Sequence, residues 1–457
     1  MTTSSAHGFS HTSEQFQQIV DDVLAMARAV GASDAGAEVS EGCGLSVSVR
    51  KGELENVERN RDKSVGVSVY LGQRRGNAST SDFSQAALKQ TVQAAYDIAR
   101  FTAEDPAAGL PDAEELATPE QVKRDLDLFF PWDVDAQTAA QLARRAEDAA
   151  LSLDKKRITN SEGASVSAQQ SHFWSGNSRG FRGGYASSRH SLSVSPIAGK
   201  GRDMQRDYWY TSERCALDMA APEIVGRYAA ERAMARLKSR KIDTCEVPVL
   251  FESTVAAGLL GAYVQATSGG ALYRKATFLH DCLGKQVLAE HLDIDENPHI
   301  ARAKGSAPFD DEGVPTRARR VVDAGVTQGY FLSCYSARKL GMKTTGHAGG
   351  SQNLRLTSRL TQPGDHLEEM LRKLHRGLFV TELMGQGVNY VTGDYSRGAA
   401  GFWVENGQIA FPVHEITIAS QLDQMFKQVV AVGADAYAFG AKTVGSVLIE
   451  RMKVAGS

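Results

Sequence analysis

Runs of alternating apolar and small polar residues, grouped between helical patterns and never alternating with them one for one, constrain this chain most. In Leu45-Ser46-Val47-Ser48-Val49 and Val65-Gly66-Val67-Ser68-Val69-Tyr70 every second side chain is apolar, the period of a strand half-buried in an antiparallel sheet. Before them, Phe16, Ile19, Val20, Val23, Leu24 and Ala27 recur at helical spacing. That spacing predicts a helix over about 13–30, opened by a Thr12/Gln15 capping box and stopped at Gly31. After them, Leu88, Val92, Ala95 and Ala99 predict a second helix over about 84–101. The order then recurs: a helix near 135–153, strand patterns in 164–174, 181–196 and 203–210, and a helix near 222–238. Helix, strands, helix, twice over and without βαβ alternation, predicts an α+β class in which helices flank antiparallel sheets. An internal duplication would produce that order.

Residues 103–119, rich in Ala, Asp, Glu, Pro and Gly without periodicity, read as a linker. Beyond the basic junction 236–241 the chain turns to glycine and short strands. Residues 247–251 predict a strand, 253–266 an apolar helix, and 402–411 a hairpin whose Asn406-Gly407 suits a type I′ turn. A last helix is expected over about 420–432. The expected organisation is a disordered start (1–12), an N-terminal α+β domain (13–240) and a C-terminal strand-rich domain (241–457).

A formal charge of −3 and the lack of a basic stripe interleaved with aromatics weigh against nucleic-acid binding. The polar start lacks a signal-peptide pattern, and no apolar run reaches the roughly 18 residues of a membrane span. Five cysteines (Cys43, Cys215, Cys245, Cys282, Cys334) are scattered and never form a CxxC pair. That usage fits a reducing compartment, so a cytosolic location is expected.

Residues that could carry chemistry are few and dispersed. The one His-Glu pair, His414-Glu415, has Ile418 four residues past the histidine and sits in an alternating, strand-like run. It cannot form the HExxH arrangement that places two imidazoles and a carboxylate about one zinc ion. His7 and His11 fall in the expected disordered start. His280, His291 and His299 share a stretch with Cys282, Asp293, Asp295 and Glu296; irregular spacing reads as a solvated loop, with an unconventional zinc site as the alternative. His347, between glycines, could offer an imidazole to a ligand. Cys334 is read as a buried small side chain, and a Cys334–His347 thiol–imidazole pair has no support in the spacing. No catalytic residue is assigned.

Several blocks together resemble the TldD/PmbA family, on its PmbA/TldE branch. They are Val49-Arg50-Lys51-Gly52-Glu53-Leu54-Glu55-Asn56, Gly109-Leu110-Pro111-Asp112, and Leu383-Met384-Gly385-Gln386-Gly387-Val388-Asn389-Tyr390. Two more follow, Gly393-Asp394-Tyr395-Ser396-Arg397-Gly398 and Pro412-Val413-His414-Glu415-Ile416-Thr417-Ile418-Ala419. In this family the TldD-type member resembles a zinc peptidase with an HExxxH helix. The matching helix here places Gly261, Ala262 and Ala266 at the ligand, carboxylate and ligand positions. None of the three can bind zinc, so the resemblance implies no metal or cofactor in this chain and zinc in a TldD-type partner subunit. It implies a cytosolic two-chain metalloprotease that processes peptides, such as a peptide-antibiotic leader, and degrades small labile proteins, such as an antitoxin. In that pair this chain supports or gates the metal-bearing subunit.

Asp394, Tyr395 and Arg397 are the candidate partner- or peptide-facing surface, because six of the nine residues in 393–401 are Gly, Ala or Ser and allow close backbone approach. Three alternatives stand beside this reading. One is a zinc enzyme acting alone through 280–299; another is a non-enzymatic binding protein that modulates DNA gyrase; the third is a self-associating homodimeric scaffold.

Overall fold

Thr12 accepts a hydrogen bond from the Gln15 amide while the Gln15 side chain accepts from the Thr12 amide at 2.8 Å. This reciprocal cap starts helix α1 (Ser13–Ala29) in the computed structural model, which describes residues 8–456. Strands β1 (Asp34–Arg50), β2 (Glu53–Leu71) and β3 (Arg74–Thr80) follow, then α2 (Gln85–Phe101). The first two strands are far longer than their alternating cores. β1 pairs with β2 from Asp34↔Tyr70 to Arg50↔Glu53, so the backbone ladder carries polar segments whose side chains give no strand signal.

Helix α3 (Pro119–Val122) is a single turn, and α4 (Ala136–Leu153) is capped by the Asp135 carboxylate on the Thr138 amide at 2.7 Å. The second strand group is β4 (Ile158–Asn177), β5 (Arg182–Gly183), β6 (Ala186–Ala198), β7 (Gln205–Arg206) and β8 (Trp209–Glu213), closed by α5 (Pro222–Ala235). These strands form one eight-stranded sheet in the order β3-β2-β1-β4-β6-β7, with β5 on β4 and β8 on β6. The antiparallel pair β1–β4 is the seam between two helix–strands–helix groups, the order read from the sequence.

Helices sit close on this sheet because small residues line the contact. α4 buries Ala139, Ala140, Ala143, Ala146 and Ala150. On β3, a Cβ added to Gly76 would lie 2.0 Å from the Ala95 carbonyl oxygen and 2.5 Å from the Ala99 nitrogen of α2. Gly76→Ala is therefore expected to lower stability by about 1–3 kcal/mol, because helix backbone rather than a yielding side chain must move. An unchanged midpoint in urea denaturation would contradict this.

The chain divides into two compact units. One runs up to Met234 and takes in Pro308–Thr316; the other comprises Ala235–Ala307 and Arg317 onward. Within the first unit, Phe309 packs on Phe181 with ring centroids 5.0 Å apart. The irregular segment 103–119 is tied down, with Ala107 and Leu110 buried and Arg179 donating to the Leu110 and Pro111 carbonyls. Of the start expected to be disordered, residues 1–7, His7 among them, lie outside the described residues. From Gly8 the expectation is corrected. Phe9 stacks on His172 at 4.1 Å, and the Ser10 and His11 amides donate to the buried Glu41 carboxylate at 2.7 and 3.1 Å. An apolar anchor within the segment, Phe9, and a buried acceptor outside it, Glu41, hold a start that is otherwise polar.

The second unit holds β9 (Cys245–Phe251), α6 (Ser253–Ala266), α7 (Gly269–Tyr273), β10 (Leu292–Glu296), β11 (Arg319–Asp323), β12 (Val326–Thr327), α8 (Cys334–Lys339), β13 (Leu354–Ser358) and α9 (Leu367–Leu374). It continues with β14 (Gly377–Met384), β15 (Asp394–Glu405), β16 (Gln408–Gln421), α10 (Leu422–Lys427), β17 (Val429–Val432), β18 (Tyr437–Phe439), β19 (Lys442–Val444) and β20 (Val447–Ala455). One sheet runs β16-β15-β14-β9-β20-β17; because β16 also pairs with β20, five of its strands close on themselves. The other runs β12-β11-β10-β13-β19-β18. α6 is a core helix whose Ala256, Leu260, Tyr263 and Ala266 are buried among residues of both sheets.

The hairpin at Asn406-Gly407 turns with φ of 53° and 73°, as a type I′ turn requires. The last expected helix is corrected: α10 covers only 422–427, and Val429-Val430-Ala431-Val432 pairs as β17 with β20. Three β-branched residues in four favour a pleated surface over a helical turn. No helix among the described residues is long and apolar enough to cross a membrane.

Candidate functional site: helix α6 and the polar node of the second unit

Helix α6 spans the 14 residues read from the sequence, with Gly261, Ala262 and Ala266 on it. Ala262 and Ala266 are 5% and 0% exposed, so their methyls already fill the space that a ligand side chain would need. Gly261 is half-exposed, and a Cβ there would meet the Lys442 Cε at 3.6 Å. Positions 261 and 266, five residues apart on a regular helix, are turned about 140° from each other. This helix offers no donor side chain at any of the three positions.

The stretch expected to be a solvated loop is corrected. Leu292–Glu296 is β10, between β11 and β13, and its Asp293 and Glu296 are buried. The residues there go to separate partners. His291 bonds the Ser358 hydroxyl and the Val429 carbonyl, each at 2.8 Å. Asp293 takes both forks of Arg359 at 2.8 and 2.9 Å, and His280 pairs with Asp281 at 2.8 Å. Among the described residues no group of three or more His, Cys, Asp or Glu side chains is placed to hold a metal ion.

A polar centre without any local sequence signal is built on Glu296. Its carboxylate accepts from Arg319 Nε at 2.7 Å, from His347 Nε2 at 2.9 Å and from the Gln352 amide at 2.8 Å. Burial alone would push this carboxyl up. The His347 hydrogen bond and the charges of His347 and Arg319 outweigh it and hold the group below the usual carboxylate range. Arg319 also donates to the Tyr330 carbonyl at 2.7 Å and lies over the Phe331 ring at 4.8 Å.

The expectation that His347 offers its ring to a ligand from a flexible loop is corrected. The ring is buried, with Nδ1 against the Thr345 hydroxyl at 2.9 Å. Both ring nitrogens are thereby used within the node, which leaves no Cys334–His347 pair, and Cys334 is buried as expected. Carboxylate, imidazole and hydroxyl in series resemble an acyl-transfer relay. Here, however, the Thr345 hydroxyl also accepts from the Leu332 amide at 2.8 Å, and Glu296 and His347 are buried at 1% and 6% exposure, closed to a substrate. It is a buried tie between β10, β11 and the 330–352 segment. Periodicity does not show it, because the partners of Glu296 lie 23, 51 and 56 residues from it.

The three candidate surface residues lie at the start of β15 and do not share a face. Asp394 is exposed and accepts from the Thr392 hydroxyl and the Gln421 amide. Tyr395 is 5% exposed, and burial pushes its hydroxyl up to about 12. Arg397 is half-buried on the Tyr395 side of the strand, and its Nε has no partner among the described residues. His414 and Glu415 separate as well, to Ser239 at 3.2 Å and Lys241 at 3.1 Å.

Comparison with known proteins agrees with this architecture along the chain. The PmbA/TldA metallopeptidase domain 1 profile matches residues 36–99, the central domain profile 130–237 and the C-terminal domain profile 244–456. Metalloprotease PmbA of Escherichia coli O157:H7 is 50% identical over 447 residues, 97% of each chain, and a PmbA homolog of Haemophilus influenzae is 46% identical over 444, again 97% of each. A Bacteroides thetaiotaomicron crystal structure, described as a candidate modulator of DNA gyrase, superposes with a TM-score of 0.90 at 25% identity, covering 98% of this chain and all of that one. TldE of Thermococcus kodakarensis shares the fold at 18% identity, with a TM-score of 0.81 over 96% of this chain and all of the other. With three consecutive family profiles and relatives at half identity over nearly its whole length, this chain belongs to the TldD/PmbA metallopeptidase family.

Proposed function

We propose that this chain is the PmbA/TldE-type subunit of a cytosolic two-chain zinc peptidase and does not catalyse alone. A TldD-type partner supplies the metal and its activated water. The observation that carries the reading is helix α6. In a domain that matches the family over residues 244–456, Gly261 and Ala266 stand where a metal-bearing sister would hold its ligands, and Ala262 where it would hold its carboxylate. The substrates are extended peptides and small labile proteins, held through main-chain hydrogen bonds that tolerate sequence variation. Of the three candidate residues at the start of β15, Asp394 belongs to the surface facing the partner or the peptide, while Arg397 and the buried Tyr395 brace that strand from its other side.

The test is co-purification with a TldD-type chain, zinc analysis of each chain, and a peptide-cleavage assay. Cleavage is expected to need both chains and to vanish when the partner's zinc ligands are replaced. Equal cleavage by the partner alone would refute the supporting role, and stoichiometric zinc in this chain alone would favour the single-chain enzyme.

A further inference from the structure

On β1, Ala37 and Val39 point into the core beneath α1 and α2, so Glu38 between them points to the other face of the sheet. Ser175 on β4 stands opposite Glu38, and Phe173, two residues earlier, shares that face. There Phe173 meets Tyr185 and Phe309 with ring centroids 4.8 and 6.1 Å away, and Tyr185 lies 5.7 Å from Phe309. Interplanar angles of 67–74° set the three rings like the walls of a box corner. They border a cavity of about 260 Å³ within the first unit. Glu38 and Asp311 border it too, and both also border a neighbouring cleft of about 490 Å³. The two carboxylates therefore stand where the small aromatic cavity meets the larger cleft.

The segment that carries Asp311 is held firmly. The Asp310 carboxylate accepts from the Glu312 and Val314 amides, each at 3.0 Å, and the Gly313 carbonyl accepts from the Ala117 amide at 2.9 Å. Phe309, 4% exposed, anchors the same turn. Its charges, in contrast, are left open. Neither Glu38 nor Asp311 makes a side-chain hydrogen bond or ion pair among the described residues. The walls around them desolvate both carboxyls and push them up, with the Asp311 charge adding to the effect on Glu38 and the Glu312 charge to that on Asp311. Neighbouring carboxylates without a counter-charge destabilise each other, and a cation placed between them removes that cost.

We propose that this cavity binds a compact organic ammonium ion, its charge against Glu38 and Asp311 and its alkyl groups against Phe173, Tyr185 and Phe309. Aromatic rings attract cations through their quadrupole, most effectively cations that shed water easily, such as methylated ammonium groups. A bare metal ion is served poorly here, because it needs several converging donors. Among the described residues no three His, Cys, Asp or Glu side chains are placed to hold one. The size of the cavity suits one small ion and is too small for an extended chain. The site goes beyond the two-chain peptidase reading and does not depend on it, since every residue named belongs to the first unit of this chain.

Calorimetric titration of the isolated full-length chain with choline tests it, beside 3,3-dimethylbutan-1-ol, the uncharged molecule of the same shape, and magnesium chloride. Choline is expected to bind saturably, the neutral alcohol at least about tenfold more weakly, and magnesium without displacing choline. Glu38→Gln and Asp311→Asn should each weaken choline binding about tenfold, and Tyr185→Leu should do so from the aromatic side. Both carboxylates are exposed and unpaired, so the two amide variants should fold as the parent does, which circular dichroism checks. They keep the test decisive even if Tyr185→Leu fails to fold. No saturable binding of choline, equal binding of the neutral alcohol, displacement by magnesium, or unchanged affinity in both amide variants would overturn the assignment. Each of those results would leave the peptidase reading standing, because that is decided by cleavage with the partner.

Discussion

Replacing Glu296 by glutamine is expected to destabilise the strand-rich unit by roughly 3–5 kcal/mol at neutral pH, the usual cost of breaking a buried ion pair from one side. The carboxylate is fully buried and accepts from Arg319, His347 and the Gln352 amide at once. An amide in its place presents an NH₂ group to donors and leaves the Arg319 charge uncompensated. The pH dependence has a fixed sign. The folded-state carboxyl is held below the usual range, so its contribution is complete above the unfolded glutamate value of about 4.3 and disappears as pH falls through the lower folded value. Wild type and variant should therefore differ most near pH 7 and converge in acid. Denaturant midpoints across that range measure this; equal midpoints at pH 7, or a gap that persists to the lowest pH, would contradict it.

That node also marks what the sequence could and could not reveal. Local interactions were legible: the Thr12–Gln15 cap, the 14-residue α6 and the Asn406-Gly407 turn each depend on residues within a few positions of one another. The helix–strands–helix order was legible for the same reason, since each group shows its own period. Long-range pairing was not. β1 and β2 extend through polar residues because each has a partner strand, and Val429–Val432 becomes a strand because β20 lies beside it. Glu296 and His347 each look like loop residues in one dimension, since burial arises only when β10, β11 and the 330–352 segment meet. For α6 the sequence carried most of the argument, because missing donors are visible in one dimension. The structure adds that the space is closed as well.

This closure leads to the second large effect. Installing the whole sister motif, Gly261→His, Ala262→Glu and Ala266→His, is expected to yield an unstable protein without zinc. Ala266 is 0% exposed in the core that also holds Tyr263, Phe251 and Leu260. An imidazole there overpacks the core, at about 1–3 kcal/mol, and buries ring nitrogens without partners, at roughly another 1–3 kcal/mol. The Lys442 side chain lies against the Gly261 position and brings an ammonium group beside any cation that an imidazole introduced there would attract. The single change Gly261→His should be far milder, since that position is half-exposed and its nearest neighbour is one lysine chain that can swing aside. Thermal denaturation of the single and triple variants, with zinc measured after dialysis, separates the two effects. A triple variant that keeps wild-type stability and retains one zinc per chain would mean that the core around α6 can open. The absence of a metal site would then rest on three side chains alone; with the core closed, it is a property of the packing.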